Sequence, residues 1–159
     1  MKNFKSLMFS ATAGVLMLAG STALAHTDDV LAAQKAPNGG QQRMAGAYHF
    51  ELVVAKDARE ANQSPVVVYV TDHAGAKVPT VGGGGTATIL AGKQKASVKL
   101  VPDGDNRLKG VGKYVATADM KVVVSITLSG KAAEQARFTP LAPMASSAVA
   151  KDGHTDHKH

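Results

Sequence analysis

Tyr48-His49-Phe50-Glu51-Leu52-Val53-Val54 places a large apolar side chain at every second position. Successive side chains of an extended chain point to opposite faces, so Tyr48, Phe50, Leu52 and Val54 share one face and His49, Glu51 and Val53 the other. A helix needs a repeat of 3.6 residues, which this stretch lacks, and it reads as a strand with one buried face. The same period recurs downstream. Residues 66–71 are rich in β-branched side chains, Val98 and Leu100 alternate with Ser97 and Lys99, and Val122, Val124, Ile126 and Leu128 alternate with Val123, Ser125 and Thr127.

Turn chemistry separates these runs at short intervals: Asp72-His73-Ala74-Gly75, Gly82-Gly83-Gly84-Gly85, Ala91-Gly92-Lys93, Asp103-Gly104-Asp105-Asn106, Gly110-Val111-Gly112 and Ser129-Gly130-Lys131. Strands are therefore expected at 47–55, 65–72, 85–91, 94–101, 106–109, 113–118, 121–129 and 133–139. This spacing predicts an all-β fold, an antiparallel immunoglobulin-like β-sandwich of about seven or eight short strands over 47–140, with flexible termini. The order of the strands is not contained in the pattern.

The flanks read differently. Lys2 and Lys5, an apolar run over 7–19 and a closing Ala23-Leu24-Ala25 form the pattern of a secretory signal peptide over 1–25. The run is shorter than the roughly 20 residues a bilayer-spanning helix needs. The expectation is an exported, periplasmic protein, cleaved after Ala25 and without stable membrane insertion thereafter. Residues 26–46 are small and polar and read as an extended N-terminal arm with one helical turn near 30–34. Residues 141–159 read as a disordered, His-containing tail with too little apolar surface to offset the entropy of ordering it.

Composition excludes several chemistries. Among 159 residues there is no cysteine, so disulfides, thiolate zinc sites, iron–sulfur clusters and cysteine nucleophiles are absent. The formal net charge is +6, but cleavage would remove Lys2 and Lys5, and the remaining lysines are spread singly. With only 4% aromatic residues, this is not the concentrated basic and stacking surface that nucleic acid requires; solvated sheet edges account for isolated lysines. No Gly-x-Ser-x-Gly elbow is present. The glycine run at 82–85 lacks the spacing of a phosphate loop and precedes a strand pattern, so it reads as a flexible hairpin connection. Asp103-Gly104-Asp105-Asn106 lacks the glutamate that closes a calcium loop and reads as a tight turn. No catalytic constellation emerges, and the chain is expected not to be an enzyme.

Histidine carries the remaining chemistry. His26 would become the new N-terminus, offering its α-amino nitrogen and imidazole as a chelate, while His154, Asp156, His157 and His159 crowd the last six residues. Imidazole and carboxylate at this density suit borderline divalent ions, copper ahead of zinc and nickel. Binding by these chain ends requires neutral imidazole and should weaken as pH falls through about 6.5. His49 and Glu51 share a strand face about 6.5 Å apart, a solvated polar face with a surface metal site as its functional alternative. His73 falls in an apparent hairpin turn. Met44, Met120 and Met144 lack the clustering of a Cu(I) site and read as packing or loop residues.

Asn38-Gly39-Gly40, Gly46-Ala47-Tyr48-His49-Phe50-Glu51-Leu52-Val53, Val68-Tyr69-Val70-Thr71-Asp72-His73-Ala74-Gly75, Asp105-Asn106-Arg107-Leu108-Lys109-Gly110 and Ala136-Arg137-Phe138 together resemble small exported β-domains of proteobacteria linked to heavy-metal and copper efflux. Similar segments occur in periplasmic adaptor subunits of cation-efflux pumps. The resemblance implies a periplasmic metal-handling module, with His49 and His73 at positions matching that family's strand and turn histidines. This chain carries Asn38 where that family often carries histidine.

Residues and resemblance together lead to one expectation: a soluble periplasmic transition-metal-binding protein of metal homeostasis or efflux, with copper first and zinc or nickel as alternatives. Its candidate ligands are His26, His49, His73, His154, Asp156, His157 and His159, and its partners are the metal ion and a periplasmic efflux component. The alternative is an envelope protein-interaction module in which the histidines are incidental.

Overall fold

The computed structural model describes residues 28–58 and 62–143. Helix α1 (Asp28–Ala33) precedes eight strands: β1 (Gln41–Ala45), β2 (Tyr48–Val54), β3 (Gln63–Asp72), β4 (Gly84–Ala91), β5 (Gln94–Pro102), β6 (Arg107–Lys113), β7 (Lys121–Thr127) and β8 (Ala133–Phe138). All pairings are antiparallel and the order across the sheet is β1-β2-β3-β6-β5-β4-β7-β8. The fold is all-β, as the period-two pattern predicts.

The sheet nearly closes on itself. β5 ladders with β4 along its length, whereas its ladder with β6 is confined to Val101–Lys109 and Pro102–Leu108. At the opposite seam β1 approaches β8, where Thr139 N donates to Gln41 Oε1 at 2.7 Å and Gly46 lies against the Glu134 carboxylate. One side of every strand faces the interior. Phe50 and Leu52 of β2, Val66, Val68 and Val70 of β3, Leu100 of β5 and Val122 and Val124 of β7 are fully buried there. Each such side chain contributes about 1.5 to 3 kcal/mol relative to exposure, which is how a chain without disulfides supports this sheet.

Three local expectations need correction. The arm expected over 26–46 includes α1, consistent with the helical turn near 30–34, and also β1, an integral strand. Gln41, Gln42, Arg43 and Met44 are all half-buried, so apolar alternation is absent; the strand is fixed instead by its main-chain ladder to β2. The short strands expected at 106–109 and 113–118 give way to one strand, β6, in which Gly110 and Gly112 are ladder residues and not a turn. A methyl group on Gly110 would run into Lys99 O and Val98 Cγ1, and one on Gly112 into Val98 Cγ2. These glycines permit close approach of β6 to β5. The glycine run at 82–85, finally, does not join a hairpin: it enters β4 after a crossover from β3, whose neighbours are β2 and β6.

Candidate functional site

On β2 the core face takes Phe50, Leu52 and Val54, which sends His49 and Glu51 to the outer face. That face is not the solvated one the alternation suggests. His49 is 5% and Glu51 4% exposed. Over Glu51 the cover is the segment preceding β1, which returns across the sheet. Glu51 Oε1 accepts from Asn38 N at 2.8 Å and Gly40 N at 3.0 Å, and Glu51 Oε2 accepts from Asn38 Nδ2 at 2.8 Å. A carboxylate receiving three N–H groups is a charge-assisted clamp, and it satisfies a turn that otherwise has no ladder partner.

His49 lies opposite Met44 of β1 and Thr71 of β3. Just beyond Thr71, the chain reverses: Asp72 Oδ1 accepts from Ala74 N and Ala76 N at 2.9 Å each, Gly75 N donates to Asp72 O at 3.0 Å, and Thr71 bridges to Lys77. Gly75 supplies the positive φ of 82° that this reversal requires. His73 sits in the turn, exposed to solvent, and its ring stacks on that of His49 with centroids 5.0 Å apart and planes inclined by 29°. Two histidines 24 positions apart in sequence thus meet on one face.

Beside this pair lies a recess of about 250 Å³ lined by Asn38, Glu51, Tyr69, Thr71, Lys77 and Asn106, with Pro37, Gln42 and Gly75 completing it. Its walls are fixed. Asn106 Nδ2 donates to Val70 O at 3.0 Å. Arg107 is hydrogen-bonded to Tyr69 and paired with Asp103 at 2.9 Å, and these contacts, the Tyr69 bond foremost, raise the guanidinium further above its ordinary value. The Asp103–Arg107 pair, with Arg107 Nε donating to Asp103 O at 2.6 Å, also makes 103–106 the tight turn expected of it.

An open groove of about 470 Å³ runs along Gly82, Gly83, Gly84 and Gly85 and the 127–131 segment. No helix follows the glycines, since β4 begins at Gly84. Met120 is fully buried in the core, in line with a packing role. Among the described residues no group of three His, Cys, Asp or Glu side chains gathers in a way that could hold a metal ion. His26, His154, Asp156, His157 and His159 lie outside the described residues, as does Met144. The clamp between Glu51 and the Asn38 turn has no sequence signal beyond the turn-forming Asn38-Gly39-Gly40, which marks a loop but not its partner.

No family model matches the chain, and no curated protein matches it. Among solved structures it is similar to a crystal structure of a DUF4426 family protein from Pseudomonas aeruginosa PAO1, at 18% identity and a TM-score of 0.38, over 62% of this chain and 92% of that one.

Proposed function

We propose that this chain is an exported, periplasmic protein that carries a transition metal as cargo, copper ahead of zinc or nickel, in metal homeostasis or efflux, and that the folded domain meets the ion at His49 and His73. The observation that carries this reading is the stacking of the two rings 5.0 Å apart. Imidazole is the side chain that borderline divalent ions prefer, and each ligating nitrogen lies about 2.0 to 2.1 Å from such an ion. His73, exposed and on a turn, is the partner able to tilt its ring edge toward that of buried His49. A permanent structural site needs four ligands. Two imidazoles instead suit an ion that is taken up and passed on, with water or the chain-end ligands His26, His154, Asp156, His157 and His159 filling the other positions.

Copper(II) titration followed by calorimetry and electron paramagnetic resonance tests this on three proteins: the full mature chain, its His73→Ala variant, and a chain lacking residues 151–159. Loss of the nitrogen-coordinated signal in His73→Ala but not in the shortened chain supports the pair. Loss only in the shortened chain moves the site to the tail. A mature chain that prefers copper, zinc and nickel no more than magnesium ends the metal reading.

A further inference from the structure

Lysines that are dispersed in sequence converge on one outer face of the fold. On β5 the buried positions are Val98 and Leu100, so Lys95, Ser97 and Lys99 point outward; on β8, Ala136 and Phe138 are buried and Arg137 points outward. β4 and β7 lie between these strands, with Leu90 and Lys121 exposed. The register then fixes the pattern. Leu90 is opposite Lys95 on one side and Lys121 on the other, Thr86 is opposite Lys99, and Val123 is opposite Arg137. Lys95 and Lys121 are thus two strand spacings apart, about 10 Å, and Lys95 and Lys99 about 13 Å along one strand. Lys93 in the β4–β5 turn extends the array.

Acidic side chains are sparse around this array. Among the described residues the outward positions of β4, β5, β7 and β8 hold no Asp or Glu. Glu134 follows the inward alternation of Ala136 and Phe138 and lies against Gly46 at the seam, and Asp119, exposed two residues before Lys121, borders the array at its rim. Among the described residues the ion pair is Arg107–Asp103, on β6 and its preceding turn. Leu90, 45% exposed, stands between Lys95 and Lys121 with its side chain in solvent.

We infer that the β5-β4-β7-β8 face docks the protein on an anionic lipid surface. The charge is complementary to lipid phosphates, the lysine stems and Leu90 provide apolar contact at the headgroup boundary, and lysine keeps its ammonium in the headgroup layer while its stem lies along that boundary. Nucleic acid would call for aromatic platforms, and this face carries none.

The test is co-sedimentation of the full mature chain with vesicles of mixed phosphatidylglycerol and phosphatidylcholine, against vesicles of phosphatidylcholine alone and against competing inorganic phosphate. Binding to the anionic vesicles, weakened by salt and not by equimolar free phosphate, is expected. A basic residue near such a surface is worth about fivefold in partitioning, so Lys95→Glu/Lys99→Glu/Lys121→Glu should lose at least about 100-fold. Lys109→Glu/Lys113→Glu, on β6, should lose far less, and circular dichroism of both variants should match the parent, since all five positions are exposed. Equal losses in the two variants, full competition by free phosphate, or binding to poly-glutamate or duplex DNA without binding to vesicles would overturn the inference.

Discussion

Asn38 and Glu51, thirteen residues apart, are joined twice: the main-chain N and the side-chain Nδ2 of Asn38 reach the two carboxylate oxygens of Glu51 at 2.8 Å each. With Gly40 N as a third donor to the same carboxylate, the chain before β1 is held down on the outer face of β2. Glu51→Ala removes the acceptor for all three N–H groups. Hydrogen bonds to a charged group contribute about 1.5 to 3 kcal/mol, and several here act on one turn. A loss of about 2 to 3 kcal/mol in urea unfolding is expected, with faster amide hydrogen exchange at Asn38 and Gly40. Unchanged exchange there would show that the clamp does not hold the turn.

Gly110→Ala tests the close approach of β6 to β5. The added methyl meets the Lys99 carbonyl, which is backbone and cannot rotate aside. Overpacking of this kind costs about 1 to 3 kcal/mol, whereas Val111→Ala, at a position 54% exposed, should change stability by less than about 0.5 kcal/mol. Equal effects of the two substitutions would contradict the packing described for this strand.

Tyr114 links two parts of the chain through its hydroxyl, which donates to Pro65 O at 2.8 Å and accepts from Ala55 N at 3.0 Å. Burial pushes this phenol above its ordinary value; the bond from Ala55 N opposes the shift and Asp57 adds to it. The folded state therefore holds the phenolic proton more tightly than the unfolded state does. Its contribution to stability is complete below about pH 10, the ordinary tyrosine value, and declines as pH rises from there through the higher folded value. Tyr114→Phe should lower stability by about 1 to 2 kcal/mol at neutral pH, and the difference from the parent should shrink above about pH 10. A difference that stays constant in unfolding curves measured across that range would refute the coupling.

Asp72→Ala leaves both imidazoles in place but deletes the oxygen that accepts from Ala74 N and Ala76 N. The turn carrying His73 should loosen, lowering stability by about 1 kcal/mol. On the copper reading, affinity at the pair should fall several-fold while the type of nitrogen coordination is retained. Titration of this variant beside His73→Ala separates a residue that places the ligand from the ligand itself.

The strand content was legible because burial on one face imposes a period of two, and that period is plain in β2, β3, β5 and β7. β1 escaped it because a half-buried seam strand draws on backbone pairing with β2, which leaves no mark on its side chains. Gly110-Val111-Gly112 reads as a turn and so divides β6 in the sequence pattern; only the presence of Val98 beneath it reveals why small residues are needed. The alternation places His49 and Glu51 together on the outer face, but the Asn38 turn that clamps Glu51 and the His73 ring that stacks on His49 come from distant parts of the chain, outside any local window. The contact between His49 and His73 likewise rests on strand register, fixed by the pairing of His49 with Thr71.

The meeting of β1 with β8 bears on how this chain behaves at high concentration. An exposed strand edge offers unpaired amides on which another molecule can grow, the route to fibrils and to exchanged dimers. Here the two terminal edges turn toward one another and are bridged by Gln41 and Thr139. Guarding of that seam gives a disulfide-free sheet protection from self-templating, and Gln41→Ala is the substitution that should first reveal it as turbidity on prolonged warming.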